Sequence, residues 1–481
     1  MQFNSLNFMA FFPAVIAVYF VIPRKCRSFW LLLASYYFYM SWNPKYALLI
    51  GFSTAVTYLC GIGIETFRKN GKGILAAGVL VNLLILGVFK YGNFTLQTLD
   101  ALLRMLHLGD VQRRLDLLLP VGISFYTFQA LGYVIDVYRK EIKAERNIIR
   151  YALFVSFFPQ LVAGPIERSK NLLRQMQNIG ELQLWNAERV TSGAILMIWG
   201  LFLKMVIADR AAIVVNTVFD SYQACGTAAL VLAAVGFSIQ IYCDFGSYSL
   251  VAIGAAKIMG FSLMENFNTP YFAAGVRDFW SRWHISLSTW FRDYLYIPLG
   301  GNRKGRARKA LNLMIVFLVS GLWHGADWSF VLWGGIHGAL QVLEDILPVK
   351  QKQGGLQLFR RFGTFLLVTF AWIFFRADSV RQAIGYIVRM SGVGAAIPAV
   401  GGDLLSLGLD RAEWGILLVS LLMLFLADLI RYLRGQTIDT FLMEQRVWVR
   451  WPVIILLIEM LFIFGEYGPA FDPQQFIYFQ F

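Results

Sequence analysis

Long runs of apolar residues with few charges between them dominate the sequence. Early examples cover residues 8–22, 46–64 and 74–89. A helix needs about 20 predominantly apolar residues to cross the hydrocarbon core of a bilayer. A strand of a membrane barrel would instead alternate apolar and polar residues with period two, and these runs do not alternate. The runs therefore predict an all-α fold, a polytopic transmembrane helical bundle.

Composition agrees with this class of protein. Hydrophobic residues make up 58% of the 481 residues and charged residues 15%, whereas a soluble domain carries about 25% charged residues. We expect about 11–12 membrane helices plus re-entrant or interfacial segments, in a single integral-membrane domain over 1–481. The candidate segments, which overcount by one or two, are 8–22, 28–41, 46–64, 74–91, 118–137, 149–165, 192–218, 226–257 (a candidate for a broken helix), 310–323, 327–346, 361–377, 412–431 and 450–466.

The distribution of positive charge predicts the topology. Lys and Arg number 43 against 29 Asp and Glu, which gives a formal charge of +14. Basic residues follow apolar runs at 24–27, 68–72 and 139–150, as expected for cytoplasmic loops. This places the N-terminus outside the cytoplasm and argues against nucleic acid as a partner. Residues 1–7 lack positive charge, so we expect the first apolar run to be retained as a membrane helix rather than cleaved.

Two segments stand apart from the apolar runs. Residues 92–117 have the pattern of an amphipathic helix at the membrane interface. Residues 265–309 are too polar to span a bilayer freely and too aromatic for a solvated loop. Polar or irregular backbone at membrane depth is tolerated only inside protein or along a water-filled cavity, so we expect this segment to lie partly in the bundle. The basic residues at 303–309 suit either a phosphorylated donor or anionic lipid, and both interpretations stay open.

Histidines are the candidate reactive residues. The chain has four, His107, His284, His324 and His337. His324 lies between small residues and tryptophans in SGLWHGADWSF, residues 320–330. An ionisable side chain at membrane depth indicates a functional site, although a buried histidine satisfied by one hydrogen bond is the structural alternative. His284 could orient His324 or face lipid headgroups, His337 is interpreted as a packing residue, and His107 as a bystander.

The available side chains favour one kind of chemistry. A neutral imidazole is a suitable general base for a hydroxyl that attacks a thioester carbonyl. No G-x-S-x-G elbow or G-x-x-x-x-G-K-[ST] loop occurs, which argues against a serine hydrolase of that type and a P-loop NTPase. The histidine spacing does not match a metal site. We therefore expect no metal and no bound cofactor.

Several long motifs resemble the membrane-bound O-acyltransferase (MBOAT) superfamily, and most of all its bacterial AlgI-like branch of alginate O-acetylation. The motifs are RDFWSRWHISLSTWFRDYLYIPLGGNRKG (277–305), GLWHGADWSFVLWGGIHG (321–338), GISFYTFQALGYVIDVYR (122–139), FFPQLVAGPIER (157–168) and IQIYCDFGSYSLVAIG (239–254). One run departs from the family pattern. The usual D-F-S-G-Y-[ST]-[DE] reads Asp244 to Leu250 here, with Ser and Gly reversed and Leu250 in place of an acid.

The resemblance implies an acyltransferase in the bacterial cytoplasmic (inner) membrane, with a histidine deep in a funnel. The essential histidine of the family maps to His324 and the second motif histidine to His284. A cytoplasmic thioester such as acetyl-CoA would be the donor, and a cell-envelope polysaccharide such as alginate the acceptor. A periplasmic or extracellular partner of the SGNH-hydrolase type and membrane lipids are the other expected partners. Further candidate substrate-binding residues are Arg277, Arg282, Arg292 and Trp323.

Two other functions remain open from the sequence. One is transfer of D-alanine to teichoic acid, with a charged carrier protein as donor. The other is a transporter or flippase for a lipid-linked glycan. Such transporters commonly contain two repeat halves with broken helices, and no internal repeat is visible in this sequence.

Overall fold

The computed structural model describes residues 1–110, 114–115, 117, 119–162, 164–347, 355–392 and 407–466. Within these ranges every regular element is helical and no strand is present, which confirms the all-α prediction. Seven helices in the described part of the chain are long and apolar enough to cross a membrane. They are Tyr46–Thr66, Arg68–Met105, Ala187–Asp220, Thr227–Ile258, Leu356–Arg376, Arg411–Arg434 and Val447–Phe464. A shorter apolar helix covers Leu6–Val21.

Seven helices of the described residues are both long and apolar enough for a full span, and other predicted segments form shorter or interrupted helices. Residues 28–41 form the 14-residue helix Arg27–Met40. Residues 149–165 do not form one helix, since Ile148–Ser156 ends after nine residues. Hydropathy sums the preferences of single residues and does not locate such breaks, so it does not by itself separate full-length spans from shorter helices.

Two other segments differ from their expected form. The interfacial helix expected at 92–117 is not a separate element. Gly92–Met105 continues the preceding helix through a π-helical turn at Gly87–Tyr91, and 111–113, 116 and 118 lie outside the described residues. The long segment at 226–257 forms the unbroken 32-residue helix Thr227–Ile258.

The described residues fall into two compact units. The first contains Met1–Asn186 and Met259–Met264, and the second contains Ala187–Ile258 and Glu265–Phe481. A single domain over 1–481 therefore stays a prediction. The α-helices of the first unit are Leu6–Val21, Arg27–Met40, Tyr46–Thr66, Gly71–Leu86, Gly92–Met105, Ile123–Tyr138, Ile148–Ser156, Phe158–Leu161 and Arg174–Gln177. Those of the second unit are Ala187–Phe202, Asp209–Asp220, Thr227–Ile258, Val276–Arg282, Ile285–Phe291, Gly305–His324, Trp328–Ile346, Gly355–Arg376, Val380–Met390, Arg411–Arg434, Ile438–Glu444 and Val447–Phe464.

Buried polar side chains join the helices of the first unit. Ser53 donates a 2.6 Å hydrogen bond to the Asn82 side-chain oxygen, and Tyr151 donates one of 2.7 Å to the Thr57 hydroxyl. Each bond connects two different helices. Hydroxyl and amide groups commonly link membrane helices in this way, because the lipid offers them no alternative partner.

Small residues bring two helices of the second unit into close contact. A Cβ placed on Gly193 would lie 2.7 Å from the Gly254 carbonyl oxygen, and one on Gly200 would lie 2.8 Å from that of Ser247. Helices Ala187–Phe202 and Thr227–Ile258 therefore pack backbone against backbone, as small residues allow in membrane proteins.

Candidate active site

His324 is held at a tight crossing of two helices. It is the last residue of Gly305–His324, and Asp327 caps the next helix by accepting a 2.7 Å hydrogen bond from the Ser329 backbone. A Cβ on Gly321 would lie 2.2 Å from the Phe330 carbonyl oxygen, and a Cβ on Gly334 would lie 2.2 Å from that of Phe317. The glycines that bracket the motif thus allow these helices to touch and place the imidazole at the end of the first one.

Aromatic rings surround the His324 imidazole, which is 2% exposed. Its centroid lies 4.9 Å from that of Trp323, 5.0 Å from Trp333 and 5.5 Å from Phe375. Trp323, a predicted substrate contact, therefore lies against the candidate catalytic histidine. Phe375 comes from the distant helix Gly355–Arg376, and no motif in the sequence pointed to it.

The structure places His284 beside His324. The two rings are 6.1 Å apart between centroids and meet edge to face. His284 is fully buried, and its ring also packs on Phe245 at 4.7 Å. Its backbone adopts the left-handed conformation, with φ of 43°. That conformation is uncommon for residues other than glycine and occurs often at functional sites.

Asn266 holds this unusual turn in place. Its backbone oxygen accepts a 2.9 Å hydrogen bond from the Ile285 N–H. Its side-chain oxygen accepts bonds from the Ser286 backbone (3.4 Å) and hydroxyl (2.9 Å), and lies 3.0 Å from His284 Nδ1. The first N–H groups of helix Ile285–Phe291 are thereby satisfied. The sequence analysis missed Asn266, and the only available signal was its position in the polar-aromatic segment 265–309.

His337 belongs to the same aromatic cluster. Trp280 Nε1 donates a 3.2 Å hydrogen bond to His337 Nδ1, and the His337 ring lies 5.1 Å from Trp333 between centroids. The helix that holds His324 ends at that residue and a new one starts at Trp328, so His324 and His337 lie on different helices. His337 is buried and hydrogen-bonded, as its interpretation as a packing residue expects.

The three predicted arginines pair with carboxylates. Arg277 forms an ion pair with Asp345. Arg282 contacts Asp278 at 2.7 Å and donates a 3.2 Å hydrogen bond to Thr269. Arg292 contacts its neighbour Asp293 at 2.8 Å, and 61% of its side chain is exposed. Donor binding by these arginines stays a prediction.

A buried ion cluster in the second unit was missed as well. Lys204 lies 2.8 Å from Asp209 and 2.7 Å from Asp244, and all three side chains are buried. Lys204 belongs to a π-helical turn, Leu203–Ala208, a form that occurs mostly as short interruptions and often at functional sites. Asp244 begins the run that departs from the family pattern, and Leu250 lies on the same helix.

Comparison with known proteins agrees with the motif resemblance. The model of the membrane-bound O-acyltransferase family matches residues 138–381. A probable alginate O-acetylase of Pseudomonas syringae pv. tomato is 40% identical over 80% of this chain and 74% of its own length. A peptidoglycan O-acetyltransferase of Helicobacter pylori is 31% identical over 100% of this chain and 97% of its own. A teichoic acid D-alanyltransferase of Bacillus subtilis is 26% identical over 53% of this chain and 67% of its own.

The apolar helices define a multi-pass integral membrane protein, and the buried histidines His284, His324 and His337 lie in one aromatic cluster. The chain belongs to the membrane-bound O-acyltransferase family, and it is an acyltransferase. The expected family and enzyme class are therefore confirmed.

Proposed function

We propose that the protein transfers an acetyl group from a cytoplasmic thioester, acetyl-CoA, to a hydroxyl of a cell-envelope or extracellular polysaccharide. The observation that carries this proposal is the pair of buried imidazoles, whose centroids lie 6.1 Å apart within a shell of aromatic rings. Relatives named an alginate O-acetylase and a peptidoglycan O-acetyltransferase support acetyl as the transferred group.

In this proposal His324 is the general base and His284 supports it. The neutral His324 ring takes the hydroxyl proton while the oxygen attacks the thioester carbonyl. The new C–O ester bond forms, the C–S bond breaks, and the proton passes from His324 to the departing thiolate. The surrounding rings keep bulk water away from the thioester, which limits its hydrolysis.

The donor would be held beside this pair. Trp323 is in ring contact with both His284 and His324, a position suited to packing against the acyl group. Arg277, Arg282 and Arg292 are proposed to contact the phosphates of the donor, since guanidinium groups bind phosphate through two parallel hydrogen bonds. When the donor binds, contacts with its phosphates would replace the ion pairs between these arginines and carboxylates.

Alginate is the first candidate acceptor, because the Pseudomonas relative that is 40% identical is named an alginate O-acetylase. Peptidoglycan is the second, because the Helicobacter relative of that name aligns with 100% of this chain. Transfer of D-alanine to teichoic acid has weaker support, since that relative aligns with 53% of the chain.

The transfer also has to cross the membrane. We place the protein in the bacterial inner membrane, with the donor bound from the cytoplasm and the acetyl group delivered outward. A separate SGNH-type protein outside the cytoplasm is the proposed partner that passes the group to the polymer. The proposal requires that the rings around His324 admit substrate from both sides.

Replacing His324 tests the proposal. His324→Ala should abolish O-acetylation of the envelope polymer, measured as acetate released by mild alkali, while the amount of protein in the membrane stays normal. His107→Ala is the matched control, because His107 is exposed and lies far along the chain from the site. Normal acetylation by a well-expressed His324→Ala protein contradicts the assignment.

The donor and the protein class need a separate measurement. Purified protein should transfer or hydrolyse labelled acetyl-CoA and should not use a carrier protein charged with D-alanine. Preference for the charged carrier would support the D-alanyl alternative. Movement of a lipid-linked glycan without any acyl transfer would support the flippase alternative.

A further inference from the structure

The side chain of Asn266 is 1% exposed and contacts three polar partners. Its oxygen faces the Ser286 backbone N–H at 3.4 Å, the Ser286 hydroxyl at 2.9 Å and His284 Nδ1 at 3.0 Å. Its nitrogen donates a 3.0 Å hydrogen bond to the Ser249 hydroxyl. The backbone N–H of Ser286 can only donate, so it determines which end of the amide is the oxygen.

This orientation determines the proton on His284. The Asn266 oxygen carries lone pairs and no hydrogen, so His284 Nδ1 has to be the donor in their 3.0 Å contact. A neutral imidazole has one N–H and one lone pair. With the hydrogen on Nδ1, the lone pair of His284 is on Nε2, at the other side of the ring.

We propose that Asn266 is a positioning residue that keeps His284 neutral as the Nδ1–H tautomer, beside the base His324. This inference rests on the proposed acyl transfer. When His324 accepts the hydroxyl proton, its ring becomes positive at 6.1 Å from His284. Two positive charges at this distance in a buried site repel each other, so the base works only while its neighbour is uncharged. A neutral amide orients His284 without favouring its protonation. A carboxylate in the same place would favour the protonated, positively charged ring.

The contacts described for the His284 ring are with uncharged side chains and with His324. Phe245 and Trp323 contact it as aromatic rings, at 4.7 and 5.9 Å between centroids. Asn266 is neutral, and His324 is the titratable group among these described contacts. A charge introduced at position 266 therefore acts directly on His284.

Asn266→Asp is the decisive variant, because it changes the charge and preserves the shape. One carboxylate oxygen can still accept from Ser286 and His284, and the Ser249 hydroxyl can rotate to donate to the other. A nearby negative charge favours the protonated form of a histidine and raises its pKa by about 1–3 units. We expect the acid limb of the pH–rate profile to move upward by about 1–3 pH units, so that acetyl transfer is lost at a higher pH than in the parent protein. The activity should recover as the pH rises.

Ser249→Ala provides a second variant if the aspartate protein does not fold. It removes the acceptor of the Asn266 nitrogen, so the amide that Ser286 orients is held less firmly and kcat should fall several-fold with KM unchanged. Ser288→Ala is the matched control, because the Ser288 hydroxyl bonds only to a backbone oxygen, that of Trp283 at 3.3 Å, among the contacts described for it.

The outcomes separate this inference from the proposed function. If His324→Ala is inactive but Asn266→Asp keeps the wild-type pH profile, Asn266 has no positioning role and the general-base proposal survives. If Ser249→Ala and Ser288→Ala have the same kcat, the positioning role is also refuted. If His324→Ala is active, the acyl-transfer site itself is misassigned.

Discussion

Replacing Gly334 by alanine tests whether close contact of the helices Gly305–His324 and Trp328–Ile346 positions the histidine pair. The new Cβ would lie 2.2 Å from the Phe317 carbonyl oxygen, whereas real Cβ contacts are essentially never under 3.0 Å. The helices must therefore separate by about 0.8 Å, the difference between these two distances. Trp333, adjacent in sequence, packs against the His324 ring at 5.0 Å, so the shift should reach the imidazole.

The magnitude follows from two general observations. Overpacking a close contact costs about 1–3 kcal/mol of stability. A displacement of about 1 Å at reacting groups lowers the rate about a hundredfold. We therefore expect Gly334→Ala to lose about two orders of magnitude in acetyl transfer, while most of the protein remains folded. The assay is acetate released from the polymer per amount of membrane protein, together with a thermal melt in detergent.

Gly335→Ala is the matched control. Its Cβ would meet Leu318 Cδ2 at 3.5 Å, an ordinary contact, and alanine is about 1 kcal/mol better than glycine inside a helix. This variant should be active and at least as stable as the parent protein. Equal activity of the two alanine variants would refute the idea that this crossing positions the site.

Two further variants probe the buried hydrogen bonds of Asp439 and of His337. Asp439 accepts hydrogen bonds from Ser192 at 2.6 Å and Lys257 at 2.7 Å, so Asp439→Asn should lower the free energy of unfolding by about 1–3 kcal/mol, measured by denaturation in detergent. Burial raises the pKa of Asp439, but the hydrogen bonds from Lys257 and Ser192 outweigh it and hold this pKa below its ordinary value of 3.8. The stabilisation by Asp439 is therefore complete above pH 3.8 and is lost as the pH falls through the lower pKa of the folded state. If the difference in free energy of unfolding between parent and variant does not shrink on acidification, this account of Asp439 is wrong. Trp280→Phe removes the donor to His337 Nδ1 and should cost about 1–3 kcal/mol with kcat nearly unchanged, whereas a large fall in kcat would give His337 a role in the reaction.

Contacts around the histidine pair were only partly predictable from the sequence. The motifs pointed to His324 and His284 because each stands in a run of small and aromatic residues. Asn266 and Phe375 had no comparable signal, since a single Asn or Phe in an aromatic-rich chain is common. They contact the histidines only after the chain has folded. Asn266 and His284, for example, are 18 residues apart in the sequence.

The sequence by itself determined that this is an integral membrane protein and which family it belongs to. Hydropathy is a sum over single residues, and long motifs are recognised from the order of residues alone. Neither therefore depends on the contacts between helices. Only the tertiary structure decided which segments are full-length spans, that Lys204 pairs with Asp209 and Asp244, and that the Asn266 side-chain oxygen lies 3.0 Å from His284 Nδ1. Those features depend on distances between residues far apart in the chain, which are set by how the helices pack.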